Sequence, residues 1–162
     1  MVFATIAALF TGSGAKAADP LDEMDRIVFE VCPDLFDGSL DFQNAVNWKQ
    51  RGLSLGAPDK SGTRQILKAK DFSIAIRTNE TNQVCHVTYS GPDSEMLYET
   101  GLQRLQQKGY AFVQGERKSP EAEFMMDTLA TETGPVGVVT MFRVHIVPNT
   151  RYIMTAMATP AE

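Results

Sequence analysis

Residues Phe72 to Tyr89 read FSIAIRTNETNQVCHVTY. From Phe72 to Arg77 the large apolar side chains alternate with small or charged ones, the period of a half-buried strand. Asn79-Glu80-Thr81-Asn82 supplies turn residues. The alternation then resumes from Gln83, with Cys85, Val87 and Tyr89 on one face and Val84, His86 and Thr88 on the other. A hairpin with a cysteine among its core-facing positions implies an antiparallel sheet that other elements must cover.

On the N-terminal side, Asp19-Pro20 opens a helix, because Asp caps well and Pro at the first helical position loses no hydrogen bond. Asp22 and Glu23 lie in its first turn, where the helix dipole favours negative charge. Met24, Ile27, Val28 and Val31 recur at helical spacing, Cys32 shares their face, and Pro33 should stop the helix nearby. A second helix is expected from about Asp41, with Phe42, Ala45, Val46 and Lys49 on one stripe and Gly52 as its stop. Gly56 to Gly62 is a loop by composition.

On the C-terminal side, a third helix starts at Asp93 or Ser94, carries Tyr98, Leu102 and Leu105 inward, and closes at Gly109. Tyr110 to Val113 reads as a strand and Arg117 to Ser119 as a charged loop. Ser119-Pro120-Glu121 resembles a helix start, so Pro120 to Ala130 is expected to be a short helix, although Phe124-Met125-Met126 would equally begin a strand. Val138 to Val147 and Tyr152 to Ala158 form a last hairpin around Pro148 to Arg151. Its first strand is apolar on both faces, with Val138, Phe142, Val144 and Ile146 on one and Val139, Met141 and Val147 on the other. Either another element covers the second face, or that face meets a partner or a second copy.

The fold class expected is α+β: an antiparallel sheet of about five strands, helices packed mainly on one face, and one intramolecular disulfide. Residues 1–17 read as a signal peptide and 18–162 as a single globular domain. Val2 to Phe10 is an uncharged apolar run, too short to span a bilayer, and Ala15 and Ala17 place cleavage between Ala17 and Ala18. No Lys or Arg precedes the run. The expected location is therefore the periplasm or the exterior, with no permanent membrane anchor.

In such a compartment Cys32 and Cys85 have one pairing available, and both point to the core, so a disulfide is expected. Two buried free thiols are the alternative if the export signal is misread. No Cys-x-x-Cys spacing supports a redox-active pair.

At 43% hydrophobic and 22% charged residues the composition suits a folded chain rather than a disordered one. The net charge of −5, with lysines and arginines dispersed, argues against nucleic acid as a partner.

Gly52-Leu53-Ser54-Leu55-Gly56 matches the Gly-x-Ser-x-Gly nucleophile elbow, which needs a strand into the serine and a helix out of it. Here a helix end precedes it and a loop follows. His86 and His145 are the only histidines, and neither has a carboxylate or thiol at ligand spacing. Met125, Met126, Met141, Met154 and Met157 raise copper(I), but Met154 and Met157 face opposite ways along a strand and methionine commonly fills cores. Asn79-Glu80-Thr81 is a formal glycosylation sequon, relevant only in a eukaryotic secretory pathway. No catalytic, metal or cofactor residues are nominated. The function expected is a small exported binding or accessory protein that contacts another protein or an envelope component. An enzyme with a site assembled from distant residues, or a small-ligand-binding module, are the alternatives.

Overall fold

The computed structural model describes residues 19–58, 65–78, 83–118, 124–146 and 149–158. The expected signal peptide and its cleavage site, the Asn79–Asn82 turn with its sequon, and Pro120 lie outside the described residues.

Asp19 caps the first helix through its side chain, which accepts from the Leu21 amide at 2.9 Å. The helix runs as α1 (Pro20–Arg26), a π-helical turn (Ile27–Val31) and α2 (Cys32–Phe36), without a break. Pro33 therefore does not stop it, contrary to expectation. Proline is excluded from helix interiors by its missing N–H and by its ring's clash with the carbonyl four residues back. The π turn, in which the Cys32 amide reaches the Ile27 carbonyl, widens the helix just ahead of that ring. Met24, Ile27, Val28, Val31 and Cys32 are all buried, as their spacing implied.

The next helix, α3 (Ala45–Gln50), is shorter than expected and begins at an Asn44 cap rather than near Asp41. Its inward residue is Trp48, 8% exposed, while Val46 is 61% exposed. The Phe42–Val46–Lys49 stripe was thus assigned in the wrong phase, because the cap lies three residues later. α4 (Ser94–Gln107) buries Leu97, Tyr98, Gly101 and Leu105, and the chain leaves it through Gly109 at φ +89°.

Among the described residues the sheet has eight strands rather than five: β1 (Ser54–Leu55), β2 (Leu67–Ala69), β3 (Phe72–Thr78), β4 (Gln83–Tyr89), β5 (Ala111–Lys118), β6 (Phe124–Ala130), β7 (Val136–Ile146) and β8 (Asn149–Ala158). Their order is β1-β2-β3-β4-β8-β7-β6-β5, all antiparallel. Four strands on one side and three on the other are joined by β8. The expected helix at Pro120–Ala130 is replaced, over its described part, by β6. The charged loop from Arg117 is in fact the end of β5, and Asn149 to Arg151 belong to β8 rather than to a turn.

Alternation divides the sheet into two faces. The first holds Phe72, Ile74, Cys85, Val87, Tyr89, Leu129, Val139 and Met141, all buried. The helices meet this face through the Cys32–Cys85 disulfide, whose Cα atoms are 5.8 Å apart. Both cysteines are fully buried. Further links are Tyr98 to Asp127 and Arg143 to Glu95, and Arg104 ties α4 to α1 through Asp22 and Asp25.

A Cys32→Ala/Cys85→Ala protein should lose about 4 kcal/mol of unfolding free energy by chain-entropy reasoning over the separation of 53 residues, measured by urea denaturation. Burial also raises the phenol pKa of Tyr89 and of Tyr110, the former helped by its hydrogen bond to Asp93. A folded-state pKa above the unfolded one favours folding below the unfolded value of about 10 and ceases to do so as pH rises through the folded value. Phenolate absorbance should therefore show at least two tyrosines ionising late, with stability declining over the same alkaline range.

Candidate functional site

The second face of the sheet differs in kind from the first. Its register positions, followed across the strands, form rows: Ala111, Ala130, Val138, Met157, Val84 and Arg77 in one. Gln114, Thr128, Thr140, Thr155, His86 and Ala75 form the next. Then come Glu116, Met126, Phe142, Ile153, Thr88, Ser73 and Lys68, and finally Lys118, Phe124, Val144 and Arg151. Not one of the described side chains on this face is buried. Val84, Met126, Val138, Phe142 and Val144 are half-buried, and Phe124 and Phe142 stack tilted at 6.0 Å between ring centres. Thr128 and Thr140 share a hydrogen bond of 3.1 Å in the polar row.

Charge is unevenly placed. Among the described side chains of this face, Lys68 and Arg77 stand against the acid Glu116, in a chain whose net charge is −5. The helices carry many of the acids, including Asp22, Glu23, Asp25, Glu30, Asp34, Glu95 and Glu99. The result is an apolar, threonine-striped sheet face with a basic fringe, backed by an acidic helical layer.

The first face carries one buried charge-bearing group among the described residues, Asp127 on β6, 3% exposed. Tyr98 of α4 donates to its Oδ2 at 2.6 Å, a contact that fixes the helix across β6. Sequence reading passed over both residues. Tyr98 was taken as packing alone, and Asp127 fell within the expected helix. A carboxyl between Met125 and Leu129 on an inward strand face was the available signal.

The residues that sequence reading did consider are dispersed. Ser54 lies in β1, entered from a helix through Gly52 at φ +69°, and its Leu55 neighbour is exposed. That is the reverse of a nucleophile elbow, which runs from strand to helix. His86 is half-buried on the second face and in register with Ala75 and Thr155, while the adjacent Cys85 points to the core. His145 pairs with Thr150 along the backbone. Its side chain lies outside the described residues. Met141 is buried on the first face, and Met125 and Met126 point to opposite faces. Met154 and Met157 also occupy opposite faces by register, so these methionines do not converge. No cluster of three His, Cys, Asp or Glu side chains suited to a metal ion occurs among the described residues. Nor is any described helix long and apolar enough to cross a membrane.

No protein-family model, no curated protein sequence and no solved structure matches this chain.

Tyr98→Phe removes the donor to a buried carboxyl and should destabilise the protein by about 1–3 kcal/mol, read from chemical unfolding. Tyr89→Phe, which loses a part-buried 3.1 Å bond to Asp93 rather than one to a buried carboxyl, should cost less.

Proposed function

We propose that this chain is an exported binding or accessory protein that docks through the second face of its sheet on another protein. The observation that carries this reading is the half-buried apolar centre of that face with its basic fringe. An apolar face over this breadth, left without a layer of buried side chains, is an association surface by its chemistry. Lys68 and Arg77, two described cations along one side of that face, then match a partner surface with an apolar ridge flanked by acidic side chains.

The same charge argues against a two-fold pair of identical chains through this face. An isologous contact sets each patch against its own copy, so basic fringe would meet basic fringe. Like-charge juxtaposition is costly where water is excluded. The Cys32–Cys85 disulfide supports an oxidising compartment, in line with the apolar N-terminal run and its Ala-x-Ala site.

A photo-crosslinking residue placed at Phe142 in the source cells should capture one acidic envelope protein, whereas the same residue at exposed Glu99 on α4 should not. Lys68→Glu/Arg77→Glu should abolish capture while leaving the unfolding midpoint in place. Light scattering of the purified chain should give a monomer. Capture from both positions, capture that survives charge reversal, or a dimer dissolved by Phe142→Asp would overturn the reading.

A further inference from the structure

β5 is the last strand of the sheet and pairs with β6 alone among the described residues. Residues along a strand direct their main-chain groups alternately to its two sides, so half of those of β5 point outward, away from β6. Residues 111–115 are exposed. An open row of N–H and C=O groups is complementary to one kind of occupant, another extended backbone.

A β-bulge sets the reach of that row. The β5–β6 register shifts between Phe112 and Gln114, leaving Val113 as the extra residue, and then runs evenly over residues 114–118. That regular stretch suits a short segment. Bulges guard sheet edges against long flat ladders, and a second copy of this chain would have to seat its own bulge against this one. A pliable segment of another protein has no such bulge to match.

Beside the edge lies a cleft of about 430 Å³ between the C-terminal half of α4 and the β5–β6 ledge, lined by Leu102, Gln106, Phe112, Gly115, Asp127 and Leu129. The bulge sets Phe112 opposite Leu129 and Gly115 opposite Asp127, so both β5 residues face this side. A Cβ added at Gly115 would lie 3.0 Å from Phe112 Cζ, so the ring rests over bare backbone at the mouth of the cleft. Of the four large apolar side chains exposed among the described residues, two are here: Phe112 at 57% and Val113 at 62%. No cation lines the cleft, and its carboxyl, Asp127, is already engaged. The side chain that fits it is therefore neutral and apolar.

We propose that β5 takes up an extended segment of another protein as an added strand, with an apolar side chain of that segment leaning over Phe112 into the cleft. Main-chain hydrogen bonds along residues 114–118 supply the affinity, and the cleft supplies the choice of side chain. A leucine in the segment meets Leu102, Phe112 and Leu129. A carboxylate there would approach Asp127 with no cation to pair with it.

Titrating the isotope-labelled whole chain with the peptide acetyl-Thr-Leu-Thr-Leu-Thr-amide, followed by amide chemical shifts, tests this. The shifts should saturate at millimolar peptide and concentrate on β5 and the C-terminal half of α4. One of two N-methylated peptides, blocked at the leucine or at the threonine amides, presents its methyl groups to β5 and should bind at least about tenfold more weakly. Acetyl-Thr-Asp-Thr-Asp-Thr-amide should also bind at least about tenfold more weakly than the leucine peptide. Phe112→Ala, at an exposed position where the fold does not depend on the ring, should weaken the leucine peptide at least about threefold. No saturable shifts, full affinity in both N-methylated forms, equal binding of the aspartate peptide, shifts centred on the second face, or a dimer formed through β5 without peptide would overturn the proposal. Lys68→Glu/Arg77→Glu should leave peptide binding intact, so loss of the docking reading and loss of this one are separate results.

Discussion

The backbone pairing of β8 with β4 on one side and β7 on the other turns two smaller groups of strands into one sheet. Its registers set Ala156 beside both Cys85 and Val139, and Met154 beside both Val87 and Met141. Because side chains alternate along each strand, those two registers decide which residues of the whole sheet share a face. A slip of one residue in either would send Val87 or Met141 out of the core. The β7–β8 pairing is a local hairpin, whereas the β4–β8 pairing closes the long loop from Tyr89 to Tyr152, which is the slow route in folding.

The disulfide acts at the same junction from the other side. Cys85 sits on β4, next to β8, and Cys32 follows the π turn in the first helix. The helical layer is therefore tied at one end to the strand on which the sheet's two halves meet. At the far end, Tyr98 to Asp127 and Tyr110 to the Val136 carbonyl, at 2.5 Å, perform the corresponding task for β6 and β7. A helix layer fixed at both ends over one face leaves the other face without a described helix, and this asymmetry separates the two faces in kind.

Period-two alternation made the Phe72–Tyr89 hairpin, its cysteine face and the doubly apolar β7 legible in the sequence, because all three lie in regular strand. The helical stripe from Met24 to Cys32 was legible for the same reason, even though the π turn carried the helix past Pro33. Reading failed at β5 and β6. The bulge at Val113 reverses the phase of alternation within β5, so the strand pattern ends at Val113 and Arg117 to Ser119 read as a loop. Asp127 placed a charge where an inward strand position should be apolar, and Ser119-Pro120-Glu121 supplied a false helix start. The failure therefore coincides with the β5–β6 bulge. Where local pattern and tertiary structure disagree, function is a common cause.

That coincidence bears on why Asp127 is there. Burying a carboxyl group costs free energy, and the Tyr98 phenol is one of the partners that offset it. Leu129, two residues on and on the same face, shows that an aliphatic side chain packs under α4 without such a cost. The glycine at 115 weakens a strand interior, and the bulge exposes both Phe112 and Val113 to water. Each feature is unfavourable alone. Together they set a bare backbone and an aromatic ring beside the Asp127 carboxyl, at the point where the alternation of β5 breaks.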